Sequence, residues 1–159
     1  MNIKRISIVL LVVGVIATLV TSAFAANGDE SGHRKLVGTW ICDVAGEPSF
    51  HALQTFHADG TFTETSSLLG KGEEGPAHGV WSRDDDEYLL TFQLFAFDPS
   101  TGESTGTIRV RVSLQVDSPD HLTATFAFAD FIDFDGNITE LGGGPDAYTC
   151  TRMKALPVP

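Results

Sequence analysis

The sequence predicts an all-β protein, an eight-stranded, mostly antiparallel up-and-down barrel closed by its first and last strands. Three observations predict it. Beyond Gly38 no helical period of useful length occurs, and short apolar or alternating runs are separated by turn residues about every 8 to 15 positions. These runs place strands at approximately 38–45, 50–57, 61–68, 78–83, 87–97, 105–117, 121–133 and 146–153, a number that lets a sheet close around side chains or one small ligand. Finally, Cys42 and Cys150, the only two cysteines, stand in the first and last of these strands.

Residues 1–25 read as a separate object. Lys4 and Arg5 make a short basic start, Ile6 to Val20 is almost unbroken apolar sequence, and Ala23-Phe24-Ala25 puts small residues at the −3 and −1 positions of a cut. This is the layout of a secretory signal peptide, cleaved after about Ala25. The apolar run falls short of the roughly 20 residues that span a bilayer, so no stable membrane insertion is expected after cleavage. Residues 26–37 are expected to be a flexible leader, 38–154 the barrel domain and 155–159 a short tail. The expected location is secreted or periplasmic.

Cleavage removes Lys4 and Arg5 and no acid. Ten cations then fall to eight against 21 acidic residues, a net charge of −13. That acidity argues against nucleic acid or an anionic membrane surface as a partner. Two cysteines in a secreted chain are most simply one disulfide. Neither has a second cysteine or a histidine at ligand spacing, so zinc is disfavoured, and neither a metal nor a cofactor is expected.

The second hairpin can be read in detail. A three-residue Ala58-Asp59-Gly60 loop pairs His57 with Thr61 and sets Phe56 opposite Phe62. That register segregates apolar from polar side chains, and it puts Gln54 opposite Glu64 on the inward face. Leu69 to Ala77 is a Gly- and Glu-rich loop, long enough to act as a flap over a barrel mouth. Tyr88 to Phe97 is apolar on both faces, as for a strand covered on both sides or facing a partner. Ile108, Val110, Val112, Leu114 and Val116 alternate with polar residues, so one face of that strand is core. In the next strand Leu122, Ala124, Phe126 and Phe128 are expected to point inward together.

If the first and last strands are antiparallel neighbours and Cys42 opposes Cys150, then Trp40 opposes Arg152. Arginine beside tryptophan is a favourable cation–π placement. Gly38-Thr39-Trp40 opening the first strand, with Arg152 near the end of the last, resembles the calycin superfamily, above all its lipocalin-like barrels. The signal peptide and the order of eight meandering strands match as well. The resemblance implies a structural role for Trp40 and Arg152, and it covers the mature chain in architecture but few residues in motif. The Thr-Asp-Tyr strand motif of typical lipocalins is absent, as is an obvious helix after the barrel.

Candidate chemistry centres on Glu64 with Gln54, since a lumenal carboxyl tends to have a raised pKa and can serve as acid, base or ligand anchor. His51 and His57 share a face but lie about 20 Å apart along a strand, too far to bind one metal. Arg109 and Arg111 share a face and suit a carboxylate or phosphate; the plainer reading is a solvated face. Asp133-Phe134-Asp135-Gly136-Asn137 fails a calcium-loop pattern at both ends, so Asp135-Gly136 reads as a turn. No Gly-x-Ser-x-Gly nucleophile elbow and no His-Glu-x-x-His is present.

Three functions compete. The first is a secreted binding barrel for an apolar or amphipathic small molecule, held by Gln54, Phe56, Phe62, Glu64, Phe126 and Phe128. The second is a cofactor-free isomerase or cyclase with Glu64 as its acid or base, resting on fold analogy alone. The third is a non-catalytic interaction module, with strand 88–97 as the face of a homodimer.

Overall fold

The computed structural model describes residues 30–45, 49–69, 72, 74–143 and 147–158. The expected signal peptide therefore lies outside the described residues. A short helix, α1 (Glu30–Leu36), precedes nine strands: β1 (Gly38–Val44), β2 (Phe50–Phe56), β3 (Thr61–Ser66), β4 (Ala77–Asp84), β5 (Glu87–Phe97), β6 (Ser104–Ser118), β7 (His121–Ile132), β8 (Ile138–Gly142) and β9 (Ala147–Arg152). Strands β1 to β7 each pair with the next, all antiparallel; β7 pairs onward with β9, and β9 with β1. The ring is thus a closed, eight-stranded antiparallel barrel.

The ninth strand arises because the last one is broken. β8 and β9 both run antiparallel to β7 and lie on the same side of it, with Ile132 opposite Ile138 and Leu122 opposite Cys150. The pattern of the sequence marks only the second half, from 146. β8 is exposed along most of its length and carries the polar Thr139 and Glu140, so no buried face marks it as a strand.

The seam between β1 and β9 has the expected register. Cys42 faces Cys150 and is bonded to it, and Trp40 faces Arg152. The Arg152 guanidinium lies 4.1 Å from the Trp40 ring centroid. Its nitrogens also donate to three carbonyls, Val37 at 2.7 Å, Pro119 at 2.6 Å and Lys35. Gly38 is required at this point. Its φ is +135°, and a Cβ there would sit 2.7 Å from an Arg152 guanidinium nitrogen.

The flexible leader expected over 26–37 needs correction where it is described, because residues 30–36 are helical. Seven residues are too few for a helix to hold by itself, so tertiary contacts hold it. Leu36 is fully buried, its carbonyl accepts the Trp40 indole N–H at 2.9 Å, and the Tyr88 hydroxyl donates to Gly32. Together α1 and Arg152 shut this end of the barrel.

Two further expectations change. β5 buries Tyr88, Leu90, Phe92, Leu94 and Ala96 but leaves Leu89 and Phe95 exposed, so of the two alternatives for this strand, cover on both sides within the chain is not met among the described residues, while a partner on the outer face is compatible with it. In β7, Val112 pairs with Phe126 but Arg111 pairs with Phe128, which leaves Ala127 as an extra residue. This bulge reverses the alternation. Phe128 therefore faces outward, beneath Arg111 at 4.5 Å from its ring centroid, and not into the lumen. The Phe126 side chain lies outside the described residues.

The closed half of the barrel is filled by aromatic rings. Phe56 meets Phe62 at 5.0 Å and Trp81 at 6.2 Å between centroids, and Phe62 meets Phe92 at 5.4 Å. These are normal packing separations.

Replacing Arg152 by lysine should remove the flat cation over Trp40 and most of the carbonyl contacts. The expected loss is about 2 kcal/mol of unfolding free energy, with faster amide exchange in α1 and at Trp40, measured by urea titration and hydrogen exchange. Reducing the disulfide, whose cysteines are 108 residues apart, should cost more, about 4.7 kcal/mol by chain entropy.

Candidate functional site

The site grows out of the β2–β3 hairpin. Its loop has the three residues expected: His57 N–H donates to Thr61 O at 3.0 Å, and Gly60 takes a φ of +84°. Asp59 fixes the loop by accepting from the Thr61 amide and hydroxyl, bonds that hold its carboxyl below its usual pKa. This turn sets the register that pairs Phe56 with Phe62 and Gln54 with Glu64. Both polar side chains are inside the barrel; Gln54 is 2% exposed and Glu64 8%.

Gln54 Nε2 donates to Glu64 Oε2 at 2.7 Å and to the Tyr148 hydroxyl at 3.2 Å. Its Oε1 is buried and has no hydrogen-bond partner. Ionised Glu64 holds the amide this way round, because turning it would set two oxygens against each other and leave the N–H2 end idle instead. Ser66, next inward-facing residue of β3, donates to Glu74 Oε1. Glu74 bridges to Ala96, and Gly75 N–H donates to Phe95 O at 2.8 Å. The described end of the 69–77 loop is thus docked along β5.

Burial pushes Glu64 from its usual 4.5 up to about 7; the Gln54 bond opposes this and the charge of Glu74 adds to it. Burial likewise pushes the Tyr148 phenol well above its usual value. Near neutral pH the interior therefore holds a carboxyl that is half ionised, a neutral phenol and an unsatisfied amide end. Such a cluster can accept hydrogen bonds, hold a cation or exchange a proton.

The site lies just above the shut end: Gln54 faces Trp40 across the β1–β2 ladder, and Glu64 and Tyr148 bring it toward the middle of the barrel. Gly38, Tyr88, Pro119 and Arg152 mark the shut end, and Val44, Phe50, Ser66, Phe97 and Ile132 mark the other. Val44, Phe50 and Ile108 are half-buried near this open end. A cleft of about 370 Å³ sits on its rim, lined by Asp43, Val44, Phe50, His51 and Thr149 among others. Phe50 stands four residues before Gln54 on the same strand face, about 13 Å away.

The other candidates do not join this cluster. Phe56 and Phe62 belong to the ring packing below it, and Phe128 is outside. Arg109 and Arg111 do share a face, but the bulge in β7 brings Asp130 to them. Arg109 donates twice to Asp130 Oδ2, at 3.0 and 2.6 Å, and Arg111 approaches the same oxygen to 3.5 Å. The chain thus supplies its own carboxylate there, and Asp130 is 4% exposed. His51 Nδ1 lies 2.7 Å from Asp43 Oδ1 on the exposed wall. Asp133 accepts from the Asp135 and Asn137 amides and the Asn137 side chain, closing a turn at Asp135-Gly136. Among the described residues no group of three or more His, Cys, Asp and Glu could hold a metal ion.

Tyr148, Ser66 and Glu74 are the members that sequence reasoning missed. Ser66 was within reach, since it continues the inward face of Phe62 and Glu64. Tyr148 stands 94 residues from Gln54, and only the closed seam brings them together.

The raised pKa of Glu64 affects stability with a defined sign. Between about pH 4.5 and 7 the folded protein keeps a proton that the unfolded chain releases. Stability is therefore fullest below about 4.5 and falls as pH rises through about 7, by on the order of 3 kcal/mol. Glu64→Gln should flatten that slope. Melting curves of both proteins from pH 4.5 to 8 check it; parallel curves would contradict the burial of an ionisable Glu64.

No protein-family model, no curated protein and no solved structure matches this chain.

Proposed function

We propose that this protein is a secreted, lipocalin-like binding barrel of the calycin type that holds one small amphipathic molecule. Its polar end rests on Gln54, Glu64 and Tyr148, and its apolar part lies among Val44, Phe50 and Ile108 toward the open end. The observation that carries this reading is the Gln54 amide, buried with one end unpaired. A buried polar atom without a partner costs about 1–3 kcal/mol, which a ligand group bonded there would recover. The Cys42–Cys150 bond fits an oxidising, extracytoplasmic compartment, and no helix among the described residues is long and apolar enough to cross a membrane. Export with cleavage after Ala25 completes the reading.

Glu64 favours a second reading. A carboxyl with a pKa of about 7 is suited to give and take protons, as a cofactor-free isomerase or cyclase requires. On that reading Glu64→Gln abolishes turnover of a bound substrate; on the first it alters affinity alone.

Native mass spectrometry of the protein from its own host tests the main reading. The expected species begins at Ala26, carries one disulfide and holds one small molecule, and Gln54→Leu loses that molecule. A bare wild-type chain, or an adduct that Gln54→Leu retains, would refute it.

A further inference from the structure

Charge in the barrel interior narrows the ligand. Among the described residues the buried polar and charged side chains are Gln54, Glu64, Ser66 and Asp130; none is cationic. Asp130 is on the outer face with its two arginines. That leaves the interior with a carboxyl, an amide and a hydroxyl, and with the carboxylate of Glu74 bonded to Ser66. The groups facing Glu64 are Gln54 from β2, Tyr148 from β9, Ser66 from its own strand, Glu74 from the loop between β3 and β4, and Ala77, its neighbour on β4. Tyr148 and Glu74 are the titratable ones, and neither brings positive charge.

Among the described residues an incoming anion would meet two acids and no buried cation. An incoming hydroxyl would satisfy the Gln54 oxygen but leave Glu64 without a countercharge. A protonated amine does both: one N–H bonds the Gln54 Oε1, which is buried and unpartnered, and the charge neutralises Glu64. We infer that the polar end of the ligand is a protonated amine, seated between Gln54 Oε1 and the Glu64 carboxylate; this rests on the binding-barrel reading above.

The pairing couples binding to pH. Only ionised Glu64 attracts the ammonium, while an alkylamine, with a pKa of about 10, stays protonated throughout. With Glu64 titrating at about 7, affinity should rise about tenfold from pH 6 to pH 8 and then level off. Binding at pH 6 should release about one proton, and at pH 8 almost none.

Isothermal titration of the mature, disulfide-bonded protein with decylamine, decanol and decanoate tests this, in about 0.15 M salt to screen attraction to the acidic surface. Decylamine is expected to bind one to one, with the tenfold pH dependence and with proton release read from buffers of different ionisation heat. Glu64→Gln should weaken it at least tenfold at pH 8 and remove its pH dependence. Proton release in the wild type reads the same pairing should that variant fold poorly. Decanol or decanoate binding as tightly as decylamine, or decylamine binding without pH dependence, overturns the amine and leaves the binding barrel standing. No binding by any of the three overturns both.

Discussion

The barrel depends on one guanidinium. Arg152 lies flat on Trp40, and its nitrogens hold carbonyls from the end of the leader and from the β6–β7 turn. One side chain on the last strand thereby ties down the first strand, the helix before it and the β6–β7 connection. Lysine carries the same charge but has no plane to stack and no fork of donors. The disulfide two residues along the ladder secures the same seam covalently. Non-covalent and covalent closure therefore sit side by side, and both are remote from the open end.

That division of labour explains the contrast within the barrel. The shut end is a packing of Trp, Phe and Tyr rings whose polar atoms are satisfied, as when the Trp40 and Trp81 indoles donate to Leu36 and His57 carbonyls. Directly above it, with Gln54 facing Trp40, come a carboxyl near its ionisation midpoint and an amide with one idle end. Fully satisfied polar groups stiffen a core; partly satisfied ones are what a core avoids unless something else completes them. The rigid seam adjoins the incomplete groups, since Gln54 faces Trp40 of β1 and bonds Tyr148 of β9.

Much of this was legible in the chain. Regular alternation from Ile108 to Val116 and the chemistry of Ala58-Asp59-Gly60 each point to one phase and one register, and the structure follows both. The parts that were not legible share a physical reason. An extra residue at Ala127 reverses the phase of β7 without a glycine or proline to announce it, so Phe128 moves outside and Asp130 joins the arginines. Helix α1 is shorter than the period needed to recognise it and is held by residues as distant as Arg152. Glu74 reaches Ser66 only because its loop returns along β5. Local pattern reveals the strands; contacts between distant segments complete the site.

An even-membered ring has a consequence for presentation. Because β8 and β9 run the same way, the broken strand counts once, and the chain crosses the barrel wall eight times. It enters β1 beside α1 and leaves β9 at Arg152, so both flanks of the domain emerge at the shut end. Any extension, tag or surface attachment at either flank is therefore anchored behind the barrel. The other end, with Phe50 and the rim cleft, lies at the opposite pole from the start of β1 and the end of β9.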